Sequence, residues 1–591
     1  LSADINLNFD SENKIKNNYI IKGFVKNGNL GFINKYEFKD LDFEFNITSN
    51  QYLFNEIESN FNEIGLISPL IEINKKNDLF FFNGSILNDN KNFNIQNLKI
   101  LVGDLFTNIN LKKIRFSSNN DFSFNISKKL KIKDLIINSI IDLDELDIDE
   151  KSLYLKSYFP NSSEKIKLKN HKVKINFSKN ILDIKGDGNF LFKDKMDFLT
   201  YKITKKDNQI SFDTKIDIKN SQLNISLLDY VKKEGTVSTI LIKGIKNKNQ
   251  DLLFKLISLN ENNNKILINN LFFNKNFKII NLAGFKANYI NNKDILNEFE
   301  FKKNNSKFTL QGINFDASEL INTIMNSKET NVSIFKNFNP KIDINLTKTY
   351  IDKNNYINNL SGYLSFKNDK INELNLISTF PNNEKINLSI VTNKKNETTT
   401  KLSSSYPKPL VERYDFIKGF EEGILDFHSF KKNDKSNSVL IIRNFKVKEV
   451  PVLAKLLSLA SLQGIADLLT GEGIRFTDFE MIFSNEKNLI TIEEIYAIGP
   501  AVSMLMSGYI EKEKLISLRG TLVPATTINK TIASIPLLGK ILVGEKAGEG
   551  VFGVSFKIKG PPKNLKTTVN PIKTLTPRFI TRTLEKIKKT N

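Results

Sequence analysis

Cysteine is absent from the 591 residues. No disulfide and no thiolate metal site can therefore form, and a chain without thiols suits an oxidising compartment. Tryptophan is absent too, and there are only two histidines, His171 and His428. They are far apart in sequence, and each sits in a run that alternates like an ordinary strand. A catalytic or metal-binding histidine cluster is thus not expected. No run of roughly 18 apolar residues free of charge occurs, so no membrane-spanning helix is expected within the chain. The nearest approach, "PVLAKLLSLASLQGIADLLT", is interrupted by Lys455, Gln463 and Asp467. The chain begins at Leu1 rather than Met. It reads as a mature chain or a fragment, with any signal or anchor upstream of Leu1. There is no G-x-S-x-G elbow, no H-E-x-x-H and no kinase set, and no motif points to a bound cofactor.

Phenylalanine, lysine, asparagine and isoleucine are abundant instead. The 46 Phe and 40% hydrophobic content are enough to bury a large apolar surface. Lys and Arg number 86 against 65 Asp and Glu, a net charge of +21. Such an excess suits an anionic partner. It also follows from AT-rich codons alone, since the cations are spread along the chain rather than clustered. No zinc module or RNP-type aromatic motif accompanies the charge, so nucleic acid is not the expected partner. The densest acidic stretch, "DLDELDIDE" (Asp142–Glu150), lacks the glycine and terminal glutamate of a calcium loop. It reads as an exposed acidic strand edge.

Period two dominates residues 1–405. "LDFEFNI" sets Leu41, Phe43, Phe45 and Ile47 on one face. "HKVKINF" does the same with Val173, Ile175 and Phe177, "IDINL" with Ile342, Ile344 and Leu346, and "INLSI" with Ile386, Leu388 and Ile390. Such alternation means strands with one apolar and one wet face. Polar clusters such as "KNGN", "NDNKN" and "KDNQ" recur about every 8–12 residues, the spacing of a meander or sandwich. Loops this short make successive strands antiparallel neighbours. "GFVKNGNL", "GSILNDNKNF" and "GYLSFKNDK" each begin a unit of glycine, strand, polar turn and strand, a repeat of pattern rather than of sequence. Short helical interruptions are expected near Ser318–Met325 and Ile225–Lys233. The apolar face of so long a sheet must be covered by a second sheet or helices, or the sheet must curl into a trough. Period two does not separate these outcomes.

Residues 406–591 have a different texture, with less Lys and Asn and more Gly, Ala, Pro and Leu. The spacing predicts a largely buried helix over 451–470, stopped by Gly471 and Gly473. Strands are expected from Ile474 to Val523 and a helical piece over Thr526–Ile535. "GEKAGEGVFG" places Gly548, Gly550 and Gly553 in the G-x-G-x-x-G spacing of a dinucleotide loop. Such a loop follows a strand and opens a helix. Here "VFGVSFKIKG" alternates like a strand after it, so the glycines read as a turn into a strand. "TPRFITRTLEKIKK" predicts a terminal amphipathic helix over 577–589. Arg578, Arg582, Lys586 and Lys589 share one face, suited to an anionic membrane, to a partner, or simply to solvent above a docked helix.

"LSLASLQGIADLLTGEGIRF", "GPAVSMLMSGYI", "LRGTLVPATTINKTIASIPLLGKILVG", "GEGVFGVSFKIKGP" and "VNPIKTLTPRFITRTLE" occur in this order. Together they resemble the C-terminal region of the AsmA-like proteins, and among these the large YhdP-type branch. The resemblance covers roughly residues 420–589; upstream no motif is specific to the family. It implies a long β-groove protein in the periplasm of a diderm bacterium, anchored in the inner membrane by a helix upstream of Leu1. It also implies movement of phospholipid towards the outer membrane, and it brings no catalytic residues.

The residues agree with such a role. Hydrating an acyl chain costs about 0.8 kcal/mol per CH₂, so a lipid crossing water meets a barrier of order 10 kcal/mol per chain. An apolar trough removes most of that barrier without chemistry. The expectation is therefore a mainly β, elongated antiparallel groove and a non-enzymatic protein without cofactor or metal. The candidate lipid-facing residues are Phe43, Phe45, Ile47, Ile342, Ile344, Leu346, Leu388 and Ile390. The alternative is an envelope scaffold of the same fold with a filled interior.

Overall fold

A computed structural model describes residues 1–32, 36–61, 64–93, 95–96, 110–127, 129, 131–149, 158–160, 165–191, 195–247, 251–275, 279–325, 339–367, 370–413, 419–448, 473–500, 502–512, 514–524, 554–562 and 564–570. The fold is mainly β, with long strands and, among the described residues, only short helices. No helix among them is long and apolar enough to cross a membrane. The chain divides into two compact units, Leu1–Glu298 and Phe299–Asn591. The change of composition near residue 405 falls inside the second.

In the first unit, strands follow one another as an open meander. Each pairs antiparallel with the next, from Ser2–Asn6 on Ile20–Phe32 to Asn264–Phe273 on Ile279–Ile290. The two ends of this series do not pair, so the sheet does not close into a barrel. Tight turns enforce the order. Lys206 pairs with Gln209 and Ser178 with Ile181, leaving two-residue loops. Asp207, Lys179 and Asn180 in those loops have positive φ. That is the left-handed geometry two-residue hairpins require, and Asn and Asp tolerate it best.

One insertion breaks the series. Strand Gln209–Ile218 pairs with Ser238–Lys246, and the residues between form a small hairpin, Leu223–Ile225 against Tyr230–Lys232. The helical interruption expected near Ile225–Lys233 is thus this hairpin, with a single 3₁₀ turn at Ser226–Leu228. Its side chains are drawn inward: Tyr230 and Lys232 are buried. Lys232 Nζ donates to the carbonyl oxygens of Lys219 (2.9 Å) and Ser221 (2.8 Å). Asp197 holds the entry to the insertion by accepting the N–H groups of Lys219, Asn220 and Ser221. The Tyr230 hydroxyl donates to buried Glu261, and burial pushes that phenol far above its ordinary range.

The second unit is also a meander, with one departure from the expected antiparallel order. Strand Lys307–Asp316 pairs parallel with Lys341–Tyr350. A parallel pair needs a long crossover. Residues 317–340 supply it, beginning with the expected helix Ser318–Met325. A short helix at Lys408–Arg413 packs nearby. The Arg413 guanidinium donates to the Ile351 carbonyl and to Asn322 Oδ1 at 2.8 Å, tying the two helices together over a cluster built on Phe380, Ile351, Ile357 and Ile386. The strands expected from Ile474 to Val523 are present. So is the strand after the glycine-rich loop, Val554–Gly560. The loop itself, the helices expected over 451–470, 526–535 and 577–589, and Arg578, Arg582, Lys586 and Lys589 lie outside the described residues.

"DLDELDIDE" is not an edge. Its strand, Ile132–Asp149, is paired on both sides. Lys165, Lys167, Lys169 and Lys172 stand opposite Asp149, Asp147, Glu145 and Asp142 on one side. Lys113 and Arg115 reach Glu145 and Asp144 from the other. Opposed charges of this kind support strand pairing, so the acidic run marks a central strand with basic neighbours. Lys113, 2.6 Å from Glu145 and hydrogen-bonded to it, holds that carboxyl below its usual range.

The repeated glycines have a steric reason. Gly84 lies opposite Phe122, Gly186 opposite Tyr201 and Gly244 opposite Phe212. A Cβ on Gly84 would meet Phe122 Cζ at 2.9 Å, and one on Gly244 would overlap the Phe212 ring and sit 2.6 Å from the Leu253 carbonyl oxygen. The missing side chain lets each ring lie flat on the neighbouring backbone, the way aromatics rescue glycines in sheets. Gly244→Val should therefore destabilise the first unit by about 1–3 kcal/mol, read as a lower urea midpoint. Gly31→Val, with nothing within 4 Å of the added Cβ, should leave the midpoint nearly unchanged.

Candidate apolar binding face

Register carries the apolar side chains from strand to strand. In the first unit Phe45 lies opposite Phe54, Phe54 opposite Ile71, and Ile71 opposite Gly84. The row continues through Phe122, Ile137, Phe177 and Leu182. A parallel row runs Ile175, Ile184, Ile203, Phe212, Gly244, Phe254. In the second unit an unbroken row passes through Ile344, Gly362, Leu376, Leu388, Leu402, Phe427 and Leu440. It goes on through Met481, Ile495, Met506, Gly520 and Phe556.

Burial separates two regimes along these rows. In the first unit Phe45, Phe54, Ile71, Phe122, Ile137, Ile184, Ile203, Phe212 and Phe254 are all half-buried. Half-burial of this kind is consistent with a sheet that curls around its apolar face, and elsewhere in the unit that face is closed: Phe93 and Ile95 pack on Leu111, Ile114, Leu143 and Leu146, and Leu259, Ile266 and Tyr289 are buried with Tyr230 of the inserted hairpin. Within Val411–Phe556 of the second unit the face is packed shut: Phe420, Ile442 and Leu522 are 0% exposed, in one cluster with Phe445, Phe476 and Phe479. Of the candidate residues, Phe43, Phe45, Ile47, Ile344, Leu388 and Ile390 are half-buried on the apolar face. Ile342 and Leu346 are buried, Leu346 to 1% exposure, and belong to core.

An open concavity on the first unit's face escaped the sequence reading. It encloses about 290 Å³ and is lined by Tyr52, Phe54, Ile73, Phe80, Phe82 and Ile126. Phe82 stacks on Phe124 with ring centroids 4.6 Å apart and planes 9° apart. Phe43 meets Phe54 edge-on at 5.7 Å. The signal was present in "LFFFNG", but three consecutive phenylalanines hide the alternation. Phe80 and Phe82 face the concavity, whereas Phe81 lies opposite Asn74 and Asn125 on the other side.

Both histidines lie on strands, His171 on Lys165–Ser178 and His428 on Phe420–Lys432. His171 is buried over Gly188 and its Nε2 lies 2.9 Å from the Asn189 carbonyl oxygen. Burial depresses its pKa. Tyr201, ring centroid 5.9 Å away, is pushed up to about 12 by the same desolvation. Among the described residues, no three His, Asp or Glu side chains are grouped as a metal ion needs. No protein-family model matches the chain, and no curated protein matches it.

Two predictions follow from the two regimes and from the histidine. Leu346→Ala should cost about 2–5 kcal/mol, the price of a core cavity. Phe54→Ala, on the half-open face, should cost roughly 1–2 kcal/mol, because less of the ring is removed from water on folding; urea titration of both variants checks the difference. His171 binds its proton less tightly in the folded chain than in the unfolded one. Its contribution is thus complete above 6.5, the ordinary imidazole value, and drains away as pH falls through the depressed folded value. Melting temperature should fall with pH below 6.5 less steeply in His171→Leu than in the parent chain.

Proposed function

We propose that this chain is a non-enzymatic lipid-transfer protein of the AsmA-like, YhdP-type kind. It shields acyl chains on its curled apolar face and moves phospholipid between the inner and outer membranes of a diderm bacterium. On this reading it works in the periplasm and is tethered to the inner membrane by a segment upstream of Leu1. The carrying observation is the register of the first unit. Phe45, Phe54, Ile71, Gly84, Phe122 and Ile137 stand opposite one another across successive strands, the large side chains half-buried rather than packed away. Contiguous apolar surface on this scale marks a binding face rather than ordinary exposure. A hydrocarbon chain suits it because it brings no hydrogen-bonding groups that the face would leave unpaired.

The packed cluster from Val411 to Phe556 favours the second reading, a scaffold, for that stretch. The two readings differ in what the purified chain carries. Native mass spectrometry with lipid extraction is expected to find phospholipid bound to the folded chain. Phe45→Asp combined with Ile344→Asp should remove the lipid while far-ultraviolet circular dichroism retains the β signal. A folded parent chain that never carries lipid would sink the transfer reading in favour of the scaffold.

A further inference from the structure

The concavity lined by Tyr52, Phe54, Ile73, Phe80, Phe82 and Ile126 sits near one end of its strands, and the next residues outward are cationic. Lys75 lies directly opposite Phe80, on the same face as the lining residue Ile73. Lys76, the last residue of the same strand, stands opposite Leu79 and falls on the other face of the sheet. Lys129 and Lys131 stand in the adjacent turn, between strands Leu111–Ser127 and Ile132–Asp149. All four lysines are exposed. Among the described residues none of the four is held in an ion pair.

Nearby acids offset part of this charge. The Glu72 carboxylate accepts from Gln51 Nε2 at 2.6 Å, and Asp134 accepts from Asn125 Nδ2 at 2.8 Å. Asp78, in the same turn as Lys76, has an interaction of its own. Hydrogen bonds from neutral amides leave these carboxylates charged, so four lysines against Glu72, Asp78 and Asp134 leave the strand ends only about one unit positive.

We infer that this concavity is a seat for one anionic amphiphile, its acyl chain on the aromatic floor and its phosphate or carboxylate head at the rim of Lys75, Lys129 and Lys131. The inference rests on the transfer reading above and gives that open face a resting place. Charge complementarity identifies the occupant. A neutral hydrocarbon would gain nothing from the rim. A polypeptide would bring amides to walls whose only side-chain hydrogen-bonding group is the Tyr52 hydroxyl, and unpaired buried amides are costly. The floor is preformed. Stacked rings with few rotatable bonds lose little freedom when a ligand arrives.

The absence of tryptophan gives a direct test. Phe82→Trp places one reporter in the seat, Tyr52→Trp a second should the first misfold, and Ile242→Trp one further along the same face. Each full-length variant is titrated with phosphatidylglycerol, phosphatidylcholine or free fatty acid carrying brominated acyl chains, which quench tryptophan on contact. The expected result is quenching of Phe82→Trp by phosphatidylglycerol at a roughly fivefold lower concentration than by phosphatidylcholine, the scale of one or two exposed charge contacts. The combined Lys75→Glu, Lys129→Glu and Lys131→Glu change should erase that preference. Fatty acid matching phosphatidylglycerol would assign the rim to anionic heads in general, and fatty acid matching phosphatidylcholine would assign it to phosphate. Equal quenching at Phe82→Trp and Ile242→Trp, with no headgroup preference, would overturn the seat and leave the open face standing. A folded protein unquenched at both positions would overturn the seat and the transfer reading together.

Discussion

Everything in this protein depends on the hydrogen-bond register between neighbouring antiparallel strands. A strand can sort its side chains onto two faces only as long as the pairing holds, because a slip by one residue turns the whole set over. Here the pairing keeps apolar residue opposite apolar residue from Phe45 to Leu182, and again from Ile344 to Phe556. Bulges absorb the irregularities. One near Arg115 and Phe116 shifts the partner of strand Leu111–Ser127 and lets both Leu143 and Leu146 turn inward. The register also sets the back of the sheet, where Lys165, Lys167, Lys169 and Lys172 meet four acids in turn. Further along the same strand, Lys174 faces Lys185, and Lys185 faces Lys202. Opposed cations cost strand-pairing energy, so this part of the sheet is held by its apolar face and its backbone, not by its charges.

Glycine acts on the same register. Rings of Phe122, Tyr201 and Phe212 lie over Gly84, Gly186 and Gly244, which removes bulk from one strand where the next supplies an excess. A sheet relieved in this way on one face can bend towards it. The recurrence of glycine at the start of "GSILNDNKNF" and "GYLSFKNDK" is therefore a mechanical repeat. Gly84 accommodates Phe122, and Gly362, with φ of +142°, sits in the apolar row between Ile344 and Leu376.

Much of this was readable from residues alone, because period two is a local property. The strands around Phe43, Ile175, Ile342 and Ile386 could each be recognised within a handful of residues, and so could the polar turns between them. What escaped depends on neighbours distant in sequence. The acidic run Asp142–Glu150 looks like an edge until the lysines of residues 165–172 are placed beside it. The parallel pair Lys307–Asp316 with Lys341–Tyr350 carries the same alternation as an antiparallel one. Leu346 and Ile344 are equivalent in pattern, yet one is core and the other half-buried, a difference that alternation along one strand does not encode. The aromatic concavity was hidden by Phe81, an apolar residue on the wet face. The buried hairpin at residues 223–232 was misread as helix, because "LNISLLDYVK" is apolar on both periods.

That hairpin bears on why the first unit keeps an open face. An apolar surface exposed to water is unstable towards any cover that can reach it. The simplest cover would be a hydrophobic segment of the chain itself. The insertion at residues 219–237 is held differently, by Lys232 donating to two carbonyls, by Asp197 accepting three N–H groups, and by Tyr230 on Glu261. Polar contacts of this kind contribute little net stability when buried, but breaking one partner away is costly, so they specify position. A greasy hairpin in the same place could slide along the apolar rows; this one is pinned where its donors and acceptors are matched. The inserted hairpin is thus fixed in place by matched donors and acceptors rather than by grease alone.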